Sequence, residues 1–159
     1  MKTKRFIALS SLLAASLALP FGGAAKGSEF LAAQSVGGTI TSELSVNVKG
    51  IQSNEGTIMI GLYNGEDDFE AEQALIGRAV PVSGESARIT FEALPIGNYA
   101  LKVFHDEDSD GVLDRNGFGL PSEAYGFSNN ASDPFSAPEW SEAQFSLPRG
   151  RMIQTIDLD

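Results

Sequence analysis

The chain has 159 residues, 42% apolar and 20% charged, with 11 basic against 21 acidic side chains, one histidine and no cysteine. This length and apolar fraction fit one globular domain and exclude a large multidomain enzyme, a disulfide scaffold and a chain too polar to fold. A formal net charge of -10 with no basic cluster excludes a nucleic-acid partner, because phosphate backbones are held by grouped Lys and Arg.

Lys2, Lys4 and Arg5 form a positive start, Phe6 to Leu19 is almost wholly apolar, and Gly23-Ala24-Ala25 offers small residues for cleavage. The pattern predicts a secretory signal over residues 1–25. The competing reading is a membrane anchor. Its apolar run is short for a bilayer span, and Pro20, Gly22 and Gly23 follow at once. The expected product is exported, periplasmic or extracellular, with no membrane insertion. Cleavage removes three basic groups and no acid, which leaves 8 basic against 21 acidic side chains and a net of -13.

Residues 26–38 mix Gly, Ser and Ala without a period and read as a tether, leaving residues 39–159 as a single domain. Leu44, Val46 and Val48 then alternate with polar neighbours, the mark of a half-buried strand. Thr57 to Tyr63 is the second strand, entered through Ser53, Asn54 and Gly56. Glu66 to Leu75 is expected to be a short helix with Phe69 and Leu75 facing inward, or an acidic loop pinned by Phe69. Ala79 to Val82, Ala87 to Phe91, Tyr99 to His105, Ala143 to Leu147 and Met152 to Leu158 bring the total to about seven strands. Short strands split by Gly and Pro turns predict an all-β fold, an antiparallel β-sandwich of immunoglobulin-like or transthyretin-like topology.

Asp106 to Ser141 interrupts this pattern between the fifth and sixth strands, with no convincing strand or helix period. Loops beyond about 12–15 residues in a compact domain are usually functional or disordered. Phe118, Tyr125, Phe127, Phe135 and Trp140 argue against disorder.

The loop opens with Asp106, Asp108 and Asp110 at alternate positions, followed by Gly111 and Asp114. This is the spacing of a calcium loop: oxygens at positions 1, 3 and 5, glycine at 6, a carbonyl at 7 from Val112 and an oxygen at 9. Leu113, at position 8, would anchor the loop inward. Calcium wants six to eight hard oxygens, whereas zinc would want the nitrogen or sulfur the loop lacks. Position 12, commonly a bidentate Glu, is Gly117, so closure falls to water, Asn116 or Glu123. A dissociation constant on the order of 0.1–1 mM is expected, as for extracellular modules. Removing Asp106 or Asp110 should abolish calcium stabilisation while leaving the ion-free melting temperature nearly unchanged or slightly raised. The competing reading is a solvated acidic turn.

Millimolar affinity is worth about 4 kcal/mol, whereas ordering each loop residue costs roughly 1–2 kcal/mol. The loop aromatics must therefore dock on the domain. Packing is accordingly the first reading of Tyr125, Phe127, Phe135 and Trp140. The other is a ligand surface formed with His105, Asn129 and Asn130, with Tyr125 and Trp140 the exposed pair. A glycan, an envelope polymer or a protein would then be the partner of a monomeric, non-catalytic binding module. His105 reads first as a structural histidine. A hydrolase built on it is the minor alternative, since no Cys and no G-x-S-x-G elbow is present.

The run LPIGNYALKVFHDEDSDGVLDRNGFGLPSEAYGFSNNA, Leu94 to Ala131, resembles the secreted bacterial family called domain of unknown function 2141. That family has a Leu-Pro-x-Gly-x-Tyr strand start, a Val-Phe-His-Asp strand end, an acidic-Gly loop ending Leu-Asp, and a Gly-Phe-Ser-Asn-Asn segment. His105, Asp106, Asp108, Asp110, Asp114 and Gly126 to Asn130 match this pattern. The likeness extends over roughly residues 44 to 158. It implies an exported transthyretin-like or carboxypeptidase-regulatory-like sandwich and no known activity. Hydroxyisourate hydrolases share the transthyretin-like fold, but they carry several active-site His and Arg residues and end in Tyr-Arg-Gly-Ser. This chain ends Ile-Asp-Leu-Asp and has one His.

Overall fold

The computed structural model describes residues 41–133 and 136–159; the signal and tether, the start of the expected domain, and Phe135 lie outside the described residues. The described chain is mostly β and forms two sheets. Eight strands run in order: β1 Thr41–Lys49, β2 Thr57–Tyr63, β3 Ile76–Pro81, β4 Ser86–Pro95, β5 Gly97–Asp106, β6 Tyr125–Phe127, β7 Phe145–Leu147 and β8 Gly150–Asp157. One sheet has the order β4-β1-β8; the other runs β3-β2-β5-β6, with β7 also paired to β5.

Alternation sets which side of each strand is buried. Leu44, Val46 and Val48 of β1 meet Ile89 and Phe91 of β4 and Ile156 of β8, and the same core takes in Ile58, Ile60 and Leu62 of β2 with Leu101 and Val103 of β5. Each such side chain contributes about 1.5–3 kcal/mol when fully buried. Both sheets thus feed one interior. Gly126 of β6 also faces it. A Cβ there would stand 2.8 Å from Cγ2 of Ile156 and 2.9 Å from the Asp157 carbonyl oxygen, so no side chain fits.

Three features depart from the sequence reading. First, β1 pairs with β8 in parallel along its whole length, from Ser42 opposite Gly150 to Lys49 opposite Asp157, so the sheets are not wholly antiparallel. Alternation specifies a buried face but not the direction of a neighbour.

Second, the helix α1 covers only Glu66–Glu70. Phe69 is buried as expected, but Leu75 is 50% exposed. Leu75 immediately precedes β3, and Ile76 takes the inward place opposite Leu62.

Third, the long interruption is not structureless. It holds β6, a 3-10 turn at Ser128–Asn130 and a second short helix, α2, at Trp140–Ala143. Ala143 therefore ends a helix instead of opening a strand. The start of α2 is held by a reciprocal capping box between Glu139 and Glu142.

The outer side of the larger sheet carries a second apolar cluster of Tyr63, Phe69, Ala100, Phe127, Trp140 and Ala143. The Phe69 ring lies edge-on to Tyr63 at 5.4 Å and to Trp140 at 5.7 Å. This cluster docks α1 and α2 onto the sheet and so gives the long loop the anchor that its ordering requires.

Candidate metal centre

Strand β5 ends at Asp106, whose buried carboxylate turns the chain back on itself. Its Oδ1 accepts the Asp110 N–H at 3.1 Å and its Oδ2 accepts the Gly111 N–H at 2.9 Å. Asp108 Oδ1 also accepts from the Asp110 N–H, at 3.2 Å, and Asp110 Oδ1 accepts from the Val112 N–H at 2.8 Å. Ser109 and Gly111 have φ of 63° and 84°, so the turn needs left-handed backbone at two points, and only Gly111 adopts it without strain.

Glu123 returns from the far end of the loop. Its Oε1 accepts the Glu107 N–H at 2.9 Å and its Oε2 accepts the Asp114 N–H at 3.0 Å, so one carboxylate clasps both ends of the acidic run. Carboxylate oxygens of Asp106, Asp108 and Glu123 lie within 4.8 Å of one another. Asp114 stands exposed beside them. Its pKa is raised, first by lost hydration and then by the charges of Asp108, Asp110, Glu123 and Asp106. An all-oxygen donor set of this kind fits calcium.

Of the two closing residues weighed from sequence, Glu123 joins the cluster. Asn116 is otherwise engaged: its Oδ1 accepts the N–H groups of Phe118 and Leu120 at 2.9 and 3.2 Å, shaping the next turn. Val112 is exposed, and Leu113 is half-buried.

Of the six residues expected to form a ligand surface, His105, Phe127 and Trp140 are buried, Tyr125 is half-buried, and Asn129 and Asn130 are exposed. His105 has 0% exposure. Its Nε2 donates to the Glu55 carbonyl oxygen at 2.8 Å, and its Nδ1 lies 3.9 Å from Glu107 Oε1 with no hydrogen-bond partner. Trp140 and Phe127 are buried in the outer cluster, which leaves Tyr125 as the half-exposed aromatic.

Asn129 and Asn130 adopt left-handed φ of 61° and 49°, a region Asn tolerates better than most residues. The Asn129 amide donates to the carbonyl oxygens of Glu142, Ala143 and Gln144. Asn130 exchanges bonds with the Asp157 backbone and carboxylate. The pair thus ties the loop to α2 and β8. Ser128 completes the staple: its Oγ donates to the Ala143 carbonyl oxygen at 2.6 Å and accepts the Leu101 N–H at 2.8 Å, wholly buried. Ser128→Ala leaves the buried Leu101 N–H unpaired and the Ala143 carbonyl oxygen with only the Asn129 amide, and is expected to cost about 1–3 kcal/mol, read by urea denaturation. A cost within experimental error would refute the staple.

Two β-sheets closed over one core, with an acidic glycine loop gathered by a distant glutamate, define an all-β domain with a candidate cation site at a strand end. The chain belongs to the family described as an uncharacterized protein conserved in bacteria (DUF2141), which matches residues 46–155. No curated protein and no solved structure matches the chain.

Proposed function

We propose that the protein is an exported, non-catalytic β-sandwich module, immunoglobulin-like or transthyretin-like in topology, whose acidic loop binds calcium. It acts in the cell envelope or outside the cell as a binding or accessory domain toward a glycan, an envelope polymer or a protein. The observation that carries the calcium reading is Glu123. Its return brings a third carboxylate to Asp106 and Asp108, supplying the acid that position 12 lacks. Asp114 adds a fourth; lost hydration and then repulsion from the neighbouring carboxylates raise its pKa, and that repulsion is what a divalent cation would relieve. The export reading rests on residues 1–25 as a sequence pattern. Among the described residues no helix is long and apolar enough to cross a membrane.

A second reading is a structural domain that needs no ion. The hydrogen bonds by which Asp106, Asp108, Asp110 and Glu123 hold the loop's own N–H groups favour it. Thermal melting of chelated protein with added calcium separates the two. At 10 mM calcium and a dissociation constant of 0.1–1 mM, the stabilisation is about 1.4–2.7 kcal/mol. This corresponds to a rise of roughly 5–10 °C for a domain of this size. Magnesium at the same concentration should do less. An unchanged melting temperature in 10 mM calcium means that the loop is purely structural.

A further inference from the structure

The outer side of the larger sheet, beyond the aromatic cluster, is open. The strand register places two rows there: Gly77, Gly61, Lys102 and Phe127 across one level, and Ala79, Met59, Phe104 and Tyr125 across the next. Gly77 and Ala79 of β3 leave a trough, while the Tyr63 ring covers Gly61 of β2, and the loop after β5 overhangs the trough to make a groove of about 820 Å³. That volume suits a small organic ligand. Val112 and Leu120 of the overhang are 61% and 58% exposed, apolar side chains that the described protein leaves uncovered. Gly77 has open space where its Cβ would be, so the trough is unfilled at that point.

Three cationic residues line the groove, Arg78, Lys102 and Arg115, and Lys102 is the one whose side chain stands on the floor between the aromatic cluster and the trough. Lys102 is only 19% exposed; its Nζ lies 4.3 Å from the Phe69 ring centre and 3.8 Å from Oε1 of Glu72, whose own side chain is 75% exposed. Burial lowers the pKa of Lys102, and Glu72 partly offsets this. A desolvated ammonium with one loosely held, solvent-facing carboxylate has room for a second anion, in a chain that otherwise carries a large negative excess.

We propose that this groove binds a single-chain carboxylic amphiphile of the fatty-acid type, its carboxylate at Lys102 and its chain over Met59, Phe104 and Tyr125 beneath Val112 and Leu120. The polar head follows from the half-buried Lys102 ammonium, and the linear tail from a trough that runs from it to the exposed apolar overhang. Occupancy does not require an ion in the acidic loop, and it identifies a ligand class that the calcium reading leaves open.

The test is calorimetric titration of the delipidated full chain in chelator with decanoic, dodecanoic and tetradecanoic acids below their micelle concentrations, and with dodecanol. Affinity should rise with each methylene by up to about fourfold, the limit for full burial. The acid should exceed the alcohol by about tenfold or more, as a charge-assisted bond requires. Lys102→Met should remove the preference for acid over alcohol. Gly77→Leu, whose Cβ would meet nothing within 4 Å and whose side chain would occupy the trough, should weaken every chain at least about tenfold with no loss of melting temperature. No binding of any acid overturns the proposal. So do equal affinity in Gly77→Leu, equal affinity for acid and alcohol, and binding to phospholipid vesicles without binding to monomeric acid.

Discussion

Phe69→Ala is expected to cost about 3–5 kcal/mol, the range for removing a fully buried ring that its neighbours cannot collapse to replace. Phe69 is 2% exposed. Its ring contacts Tyr63, Phe127 and Trp140 at centroid distances of 5.4, 6.4 and 5.7 Å, and the Lys102 ammonium sits 4.3 Å above it. Four sequence segments meet at this one side chain: β2, β5, β6 and α2. Truncation would open a cavity between them and leave a partly buried ammonium without the ring face that stabilises it. Because Trp140 is the only tryptophan, its fluorescence reports the change directly. A red shift together with a lower urea midpoint is the expected outcome. Phe118→Ala, at 93% exposure, is the control and should stay within about 0.5 kcal/mol of the parent. A loss below about 1 kcal/mol for Phe69→Ala would contradict the anchoring role.

Asp106→Ala is expected to abolish stabilisation by calcium and, in chelator, to lower stability by about 1–3 kcal/mol. The second effect corrects the sequence reading, which treated Asp106 and Asp110 alike and expected no ion-free cost. Asp106 is 1% exposed and holds the N–H groups of Asp110 and Gly111, so its removal strips the turn of its internal acceptor. Asp108 differs. It is exposed, and the one N–H it accepts is shared with Asp106. Asp108→Ala should therefore weaken calcium binding about tenfold or more through loss of a charged ligand, yet leave the ion-free protein as stable or slightly more so, since a like charge has gone. Melting of both variants in chelator and in 10 mM calcium checks the pair. A full calcium shift in Asp108→Ala would place the ion elsewhere.

The strands were legible because their signal is local. Leu44, Val46 and Val48, or Ile58, Ile60 and Leu62, alternate within a few residues, and the structure buries those residues. Strand β6 leaves no mark in the sequence because three residues, one of them glycine, carry no measurable period. Its existence depends on Lys102, Val103 and Phe104, more than twenty residues earlier in the chain. The aromatics were ambiguous for a related reason. Phe127 and Tyr125 are two residues apart on the same strand face and differ in burial only because Phe69 and Trp140 cover one of them. Asn129 and Asn130 resembled ligand groups because an amide's chemistry is the same toward a sugar as toward a carbonyl. Only the approach of α2 and β8 shows that their bonds are taken up within the fold.

By itself the sequence determined an all-β domain, the family, and an acidic run with glycine at the spacing of a cation loop, since strand alternation and ligand spacing are both properties of neighbouring residues. The tertiary structure decided the rest. It selected Glu123 over Asn116 to close the acidic cluster and set β8 parallel to β1. It also enclosed His105 and Trp140 and left a groove beside Lys102. Each of these depends on which distant segments share a face, and desolvation and packing settle that only when the whole chain is folded.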